Sequence, residues 1–422
     1  MKIRPKSRGL KAPWKPILEG SNERQAWRFI EKIDQSTALF EKNFQKESNT
    51  PWWIDNTIGA ALFSNHLYKV SGEKQHKKRA ESFLRQGAEL LYSRPSLDKL
   101  YSGFTGLAWL SEHLRRSNKS TRHSWGPGQD PNTEIDKYLL TLVRSGRAKG
   151  AELGRYSLVD TWAGYGIYAT ERWPSGKANK LLGDLISFFD KKAKHMPTGS
   201  AWYSTKSHLP FPDAKRFLAG NFNLGVAHGV PGVIGFLTEA FSLGIKSPAL
   251  ERLLNDSIRW LLAQDKGESF RFYVPPRSFP KASPPPRLAW CYGDLGISMV
   301  LLNAAEVLKD PLVKKSALHI AKRAAGFSRS KSKVGDPYIC HGAAGAFHIF
   351  NHLFQRTKDP HFLDRALFWV TDMFEQLEGP LEVGEDKFGI LLGDTGIALS
   401  LLAGVSDVSP EWDRLLLLSR QL

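Results

Sequence analysis

The chain has only two cysteines in 422 residues: Cys291 in "RLAWCYGDLGIS" and Cys340 in "YICHGAAGAF". Each stands just before a Gly-x-x-Gly step and an apolar run, and His341 follows Cys340 directly. Two thiols and an imidazole make the Cys₂His set of a catalytic zinc site with its fourth position open. The ligands are too far apart in sequence for a local finger, so the fold has to bring them together. A helix start suits a thiolate, because its positive dipole end favours the anion. A single buried cysteine is as readily a small hydrophobe of the core; two at equivalent repeat positions favour a shared role. Zinc with two thiolates and a neutral imidazole carries no net charge. A third thiolate at the open position would keep its electron density after losing its proton, so such a centre suits activation of a substrate thiol.

The positions of these residues come from an internal repeat. Gly-x-x-Gly followed by aliphatics recurs as "SGFTGLAWL" (Gly103, Gly106), "HGVPGVIGFL" (Gly229, Gly232), "YGDLGISMVLL" (Gly293, Gly296), "HGAAGAFHIF" (Gly342, Gly345) and "LGDTGIALSLL" (Gly393, Gly396). A degenerate copy, "WAGYGIYAT", is read with Ala163 and Gly166 in the two slots, and a weaker one surrounds Gly59. Several copies at similar spacing mark a repeat architecture. Between them run amphipathic patterns such as "SALHIAKRAAGF" and "FLDRALFWVTDMFEQLE", apolar at i, i+3, i+4 and i+7. Each unit reads as an apolar helix after the glycines and an amphipathic helix after that. No sustained period-2 alternation appears, so the expected class is all-α. A closed ring of helical hairpins satisfies this pattern, with apolar helices inside and loops converging on one face. Pro/Gly/Ser-rich stretches such as "VPPRSFPKASPPPRLAW" read as loops.

Hydrophobic residues at 41% and charged residues at 24% describe a globular chain and exclude a disordered one. The basic N-terminus has no apolar core of a secretory signal, and no apolar run reaches the roughly 20 residues of a membrane span. The expected location is cytoplasmic, where two thiols stay reduced. The net charge of +17 favours acidic partners or anionic surfaces as well as solubility. No RNA-recognition signature or finger spacing is present, so nucleic acid is not an expected partner.

The motifs "RLAWCYGDLG", "CHGAAG" and "NFNLGVAHGVPG" together resemble the lanthionine synthetase C family, the stand-alone cyclases of lanthipeptide biosynthesis. The resemblance runs over nearly the whole chain, residues 1–422, read as one domain. It implies an α/α toroid, a double ring of about seven inner and seven outer helices. Some members carry a small inserted domain, for which residues 115–155 are the place here. It implies a single Zn²⁺ ion held by Cys291, Cys340 and His341. The implied reaction is Michael-type addition of peptide cysteine thiols to dehydroalanine or dehydrobutyrine, giving lanthionine and methyllanthionine thioether rings.

By the same resemblance His228 in "AHG" takes the place of the acid/base histidine, and Asp160 in "LVDTWAGYG" that of an acidic partner. Arg287 and Tyr292, flanking Cys291, match further site positions. The expected steps are attack of the thiolate on the β-carbon and protonation of the α-carbon by His228. Asp160 would orient His228 or help remove the thiol proton, and Arg287 would hold a peptide carbonyl or enolate. Implied partners are the dehydrated precursor peptide (leader plus core), a lanthipeptide dehydratase and an exporter, through which the protein could associate with a membrane. Acidic leaders would meet the basic surface. Two other readings stand beside this one: a prenyltransferase-like zinc thiol-activator on the same fold, and a non-catalytic peptide- or glutathione-binding relative.

Overall fold

The alternation of apolar and amphipathic segments folds as successive helix pairs. The computed structural model describes residues 14–94, 96–118, 130, 132–146, 156–205, 220–274, 287–378 and 386–420. In chain order the main helices are α1 (Gly20–Lys42), α2 (Trp53–Ser71), α3 (Lys74–Ser93), α4 (Phe104–Ser117), α5 (Asn132–Ser145), α6 (Trp162–Arg172) and α7 (Gly176–Lys192). They continue as α8 (Val230–Ser242), α9 (Pro248–Leu262), α10 (Asp294–Leu308), α11 (Pro311–Ala325), α12 (Ala343–Thr357), α13 (Pro360–Glu378) and α14 (Asp394–Val405). Two small antiparallel pairings join β1 (Lys194–Met196) to β2 (Gly199–Ala201) and β3 (Phe222–Asn223) to β4 (Tyr273–Val274).

The chain divides into two compact units, Met1–Ser96 with Val334–Asp413 and Leu97–Lys333 with Arg414–Leu422. In the first, α14 packs against α1, α2 and α12, while α3 backs α2 and α13 backs α12. In the second, α4, α6, α8 and α10 pack in succession, and α7, α9 and α11 back α6, α8 and α10. Residue burial follows the sequence pattern. Every residue of α8 from Val230 to Ala240 is buried, whereas α9 buries one stripe that includes Leu250, Leu253, Leu254, Ile258 and Leu261. The outer helices start on local signals. Ser247-Pro248 opens α9 and Asp310-Pro311 opens α11, each with the capping side chain accepting from the first-turn N–H groups.

The glycines open the apolar helices. Gly103, Gly229, Gly293, Gly342 and Gly393 are the N-cap residues of α4, α8, α10, α12 and α14. The second glycine lies one turn into the helix, where the incoming loop crosses it. A Cβ on Gly232, Gly296, Gly345 or Gly396 would stand 2.0–2.3 Å from the carbonyl oxygen six residues earlier, so only glycine fits.

This contact corrects the register of the degenerate copy. Gly164, not Gly166, faces the carbonyl six residues before it, that of Leu158, and Thr161 is the N-cap of α6. Thr161 and Gly164 therefore occupy the two slots, not Ala163 and Gly166. Gly166 instead accommodates the ring of Phe236. The weak copy at Gly59 lies inside α2 rather than at its start, against the Phe388 carbonyl. Of the stretch considered for an insertion, residues 132–145 form α5; residues 119–129, 131 and 147–155 lie outside the described residues. No helix among the described residues is long and apolar enough to cross a membrane.

Candidate active site

With the register corrected, the candidate side chains share one address. Asp160, His228, Tyr292 and His341 each immediately precede the N-cap residue of an apolar helix: α6, α8, α10 and α12. Cys291 and Cys340 stand one residue earlier, and Arg287 six residues before its cap. A loop that must cross its own helix start at glycine-only distance presents the residues just before the cap at that end of the helix.

In the second unit, Asp160 and His228 come together. The loops before α6 and α8 are tied by Leu158 N–H and Val159 N–H, which both donate to Ala227 O at 3.0 and 3.2 Å. His228 Nδ1 then lies 3.3 Å from Asp160 Oδ2 and 3.0 Å from Ser157 Oγ. Ser157 Oγ accepts from the Asp160 N–H and faces two atoms that only accept, Ala227 O at 3.0 Å and Asp160 Oδ2 at 3.2 Å. Nδ1 faces the Asp160 carboxylate, which can only accept, so this hydrogen-bond network assigns Nδ1 its own hydrogen. That tautomer leaves Nε2 of this 36% exposed side chain as the ring atom open to accept a proton. Lys99 Nζ holds the other carboxylate oxygen of Asp160 at 3.1 Å. Burial would raise the Asp160 pKa, but bonding to His228 and the charge of Lys99 outweigh it and hold the carboxyl well below the usual carboxylate range. Asp160 thus stays ionised. Its two oxygens face His228 and Lys99.

Arg287, Cys291 and Tyr292 form the other cluster of this unit. Arg287 Nη2 lies 3.9 Å from Cys291 Sγ, a positive charge beside the sulfur that complements a thiolate. The guanidinium also lies over the Phe272 ring at 5.9 Å, and its buried Nε has no hydrogen-bond partner. Tyr292 stacks on Phe272 with centroids 4.6 Å apart, and its hydroxyl accepts from Asn223 Nδ2 at 2.9 Å. The β3–β4 pairing of Asn223 with Tyr273 sets both partners of that ring. Beneath it sits Gly225, where a Cβ would stand 2.6 Å from Tyr292 Cε1 and 2.8 Å from Cys291 O.

In the first unit, Cys340 N–H donates to Leu391 O at 3.0 Å, fixing the loop before α12. His341 Nε2 lies 3.2 Å from Asp336 Oδ2, while its buried Nδ1 has no hydrogen-bond partner. A carboxylate on one ring nitrogen, with the other left open, is how proteins prepare an imidazole to ligate a metal. Neither cysteine is in a disulfide.

Sequence reasoning missed Lys99, Ser157, Asn223, Phe272 and Asp336. For two of them a signal existed: Asn223 and Asp336 stand six residues before their caps, at the place Arg287 holds before Gly293.

The sequence signature of the family described as "Lanthionine synthetase C-like protein" matches residues 31–417. "Nisin biosynthesis protein NisC" of Lactococcus lactis subsp. lactis is 23% identical over 406 residues, spanning 90% of this chain and 92% of that one. The solved structure titled "Nisin cyclase" superposes with a TM-score of 0.74 at 19% identity, covering 92% of this chain and 98% of that one. That protein is an α/α toroid, so the expected fold class holds.

Proposed function

This chain belongs to the lanthionine synthetase C-like family, and from that premise we propose that it is a zinc-dependent lanthipeptide cyclase. Its substrate is a dehydrated precursor peptide, whose cysteine thiols add to dehydroalanine or dehydrobutyrine to close thioether rings. The observation that carries the reading is the His228–Ser157–Asp160–Lys99 relay, which holds one imidazole in a single tautomer beside an ionised carboxylate.

Cys291, Cys340 and His341 are the donor group proposed to hold one zinc ion. The residues fit it: two thiols, and an imidazole whose Nδ1 is buried and open while Asp336 occupies Nε2. Bound zinc would supply stabilisation of the substrate cysteine as a thiolate. The chain's own groups do the rest. Arg287 offers its guanidinium to the negative charge that develops on the peptide carbonyl oxygen as the carbon–sulfur bond forms. His228 Nε2 takes the proton that the substrate thiol releases and returns it to the α-carbon, with the Nδ1 hydrogen retained towards Asp160 throughout. Tyr292, locked by Asn223 and Phe272, shapes the wall beside Cys291. A dehydratase that makes the substrate and an exporter that removes the product are the proposed partners.

The test is thiol loss. A dehydrated Ser/Thr/Cys peptide is incubated with the full chain and then alkylated, and each closed ring removes one alkylation in the mass spectrum. His228→Asn is expected to slow closure by about 10²–10⁴-fold, the usual share of a general acid. Unchanged thiol counts with the unaltered protein, while it binds the peptide, would instead make it a binding protein.

A further inference from the structure

Away from these loops, the first unit holds a second convergence of metal-ligating side chains. His348 and His352 lie one turn apart on α12, so their rings leave the same face of the helix. Asp413 enters from the 3₁₀ turn Glu411–Leu416. His348 Nε2 lies 2.7 Å and His352 Nε2 2.6 Å from the same oxygen, Asp413 Oδ2. The three side chains are 0%, 2% and 0% exposed, so no bulk water reaches them. The Trp412 ring stacks on His348 at 5.0 Å and Trp14 meets His352 edge-on at 4.9 Å.

Hydrogen bonding leaves this cluster incomplete. Asp413 Oδ1 and His348 Nδ1 are buried without a hydrogen-bond partner. The ion-pair partners of Asp413 among the described residues are the two histidines, with no Lys or Arg. A carboxylate between two neutral imidazoles would be a buried negative charge, which costs several kcal/mol unless a cation pairs with it.

We propose that His348, His352 and Asp413 form a second, fully enclosed metal site, for a divalent transition ion of which zinc is the best match. Two imidazole nitrogens and a carboxylate are borderline donors of the kind zinc takes. With Asp413 bidentate, Oδ1 becomes the fourth donor, and four protein donors with no open position describe a structural site rather than a catalytic one. The ion gives the carboxylate a buried cationic partner, leaving the site with a net charge of +1, and pins the 3₁₀ turn to α12.

The test is metal stoichiometry in the full chain, expressed with added zinc and dialysed against a chelator to strip surface-bound ions. The expected content is about two ions per chain, and about one in a Cys291→Ser/Cys340→Ser variant, because the buried site has no thiol. His352→Gln and Asp413→Asn each lose one ion, and the His352→Gln protein keeps its thiol-dependent ion. Metal-free double-cysteine protein, or His352→Gln protein with undiminished metal, overturns the proposal. If the α12 variants do not fold, cobalt loading of the double-cysteine variant decides. Visible d–d bands without a sulfur charge-transfer band support the site, and no cobalt uptake refutes it. A double-cysteine variant with as much metal as the unaltered chain would speak against the cysteine site instead, so the two failures read differently.

Discussion

Replacing Asp160 by Asn tests whether this carboxylate works through His228. The side chains are nearly isosteric, so the loop before α6 keeps its shape, but the charge facing Nδ1 at 3.3 Å and Lys99 at 3.1 Å is lost. A hydrogen bond to a charged group contributes about 1.5–3 kcal/mol. The His228 side chain is 36% exposed, so solvent screens part of this interaction, which puts the loss near the lower end of that range. Ring closure should slow by about tenfold to thirtyfold, since each 1.36 kcal/mol is a factor of ten. The assay is thiol alkylation at saturating peptide, with urea unfolding as the control for folding. The discriminating measurement is a double-mutant cycle. Asp160→Asn should cost almost nothing in a His228→Asn background, because the group it orients is gone. An equal loss with and without His228, or a single variant within twofold of the unaltered rate, would refute the relay.

Three further outcomes follow from the same contacts. Asp336→Asn removes the carboxylate from His341 Nε2 and should weaken zinc binding by about 10–100-fold in a chelator competition; unaltered affinity would remove His341 from the ligand set. Gly225→Ala places a Cβ 2.6 Å from Tyr292 Cε1 and should cost about 1–3 kcal/mol in urea unfolding, and less in a Tyr292→Ala background. Glu171, fully buried, would have its pKa raised by burial, but Arg414 and His113 outweigh this and bring it down to about 2. Its contribution is therefore complete above the ordinary glutamate value and is lost as pH falls from about 4.5 towards 2. The stability gap between the unaltered protein and Glu171→Gln should narrow over that window by about 3 kcal/mol, and a pH-independent gap would rule the assignment out.

Much of this architecture is local in origin. The apolar helices start where glycine permits a loop to cross its own helix, so the Gly-x-x-Gly steps mark their starts along the chain. The degenerate copy was misread because its first slot escapes the crossing that holds elsewhere. A Cβ on Gly103, Gly229, Gly293 or Gly342 would stand 2.1–2.3 Å from the carbonyl oxygen six residues earlier, whereas Thr161 is accommodated before α6. The N-cap at Thr161 has φ −148°, which any residue adopts, whereas the N-cap at Gly293 has φ +97°. The second slot is strict in both copies, since a carbonyl lies about where a Cβ would be. Alignment on that glycine alone puts Asp160, His228, Tyr292 and His341 in one column.

The division between sequence and tertiary structure follows the range of the forces. Residue identity determined the helical repeat, the thiol and imidazole donors and their place just before helix starts, because steric exclusion at glycine and ligand chemistry act within a few residues. Only the tertiary structure decided which groups complete them. Lys99 reaches Asp160 from the loop before α4, Ser157 on the Asp160 loop meets His228 from 71 residues away, and Asn223 reaches Tyr292 from 69 residues away. Asp413 meets His348 and His352 from 65 and 61 residues further along the chain. A hydrogen bond or an ion pair has no preferred sequence separation. It depends on which loops the packed helices deliver to the same few ångströms, and that packing is a property of the whole core.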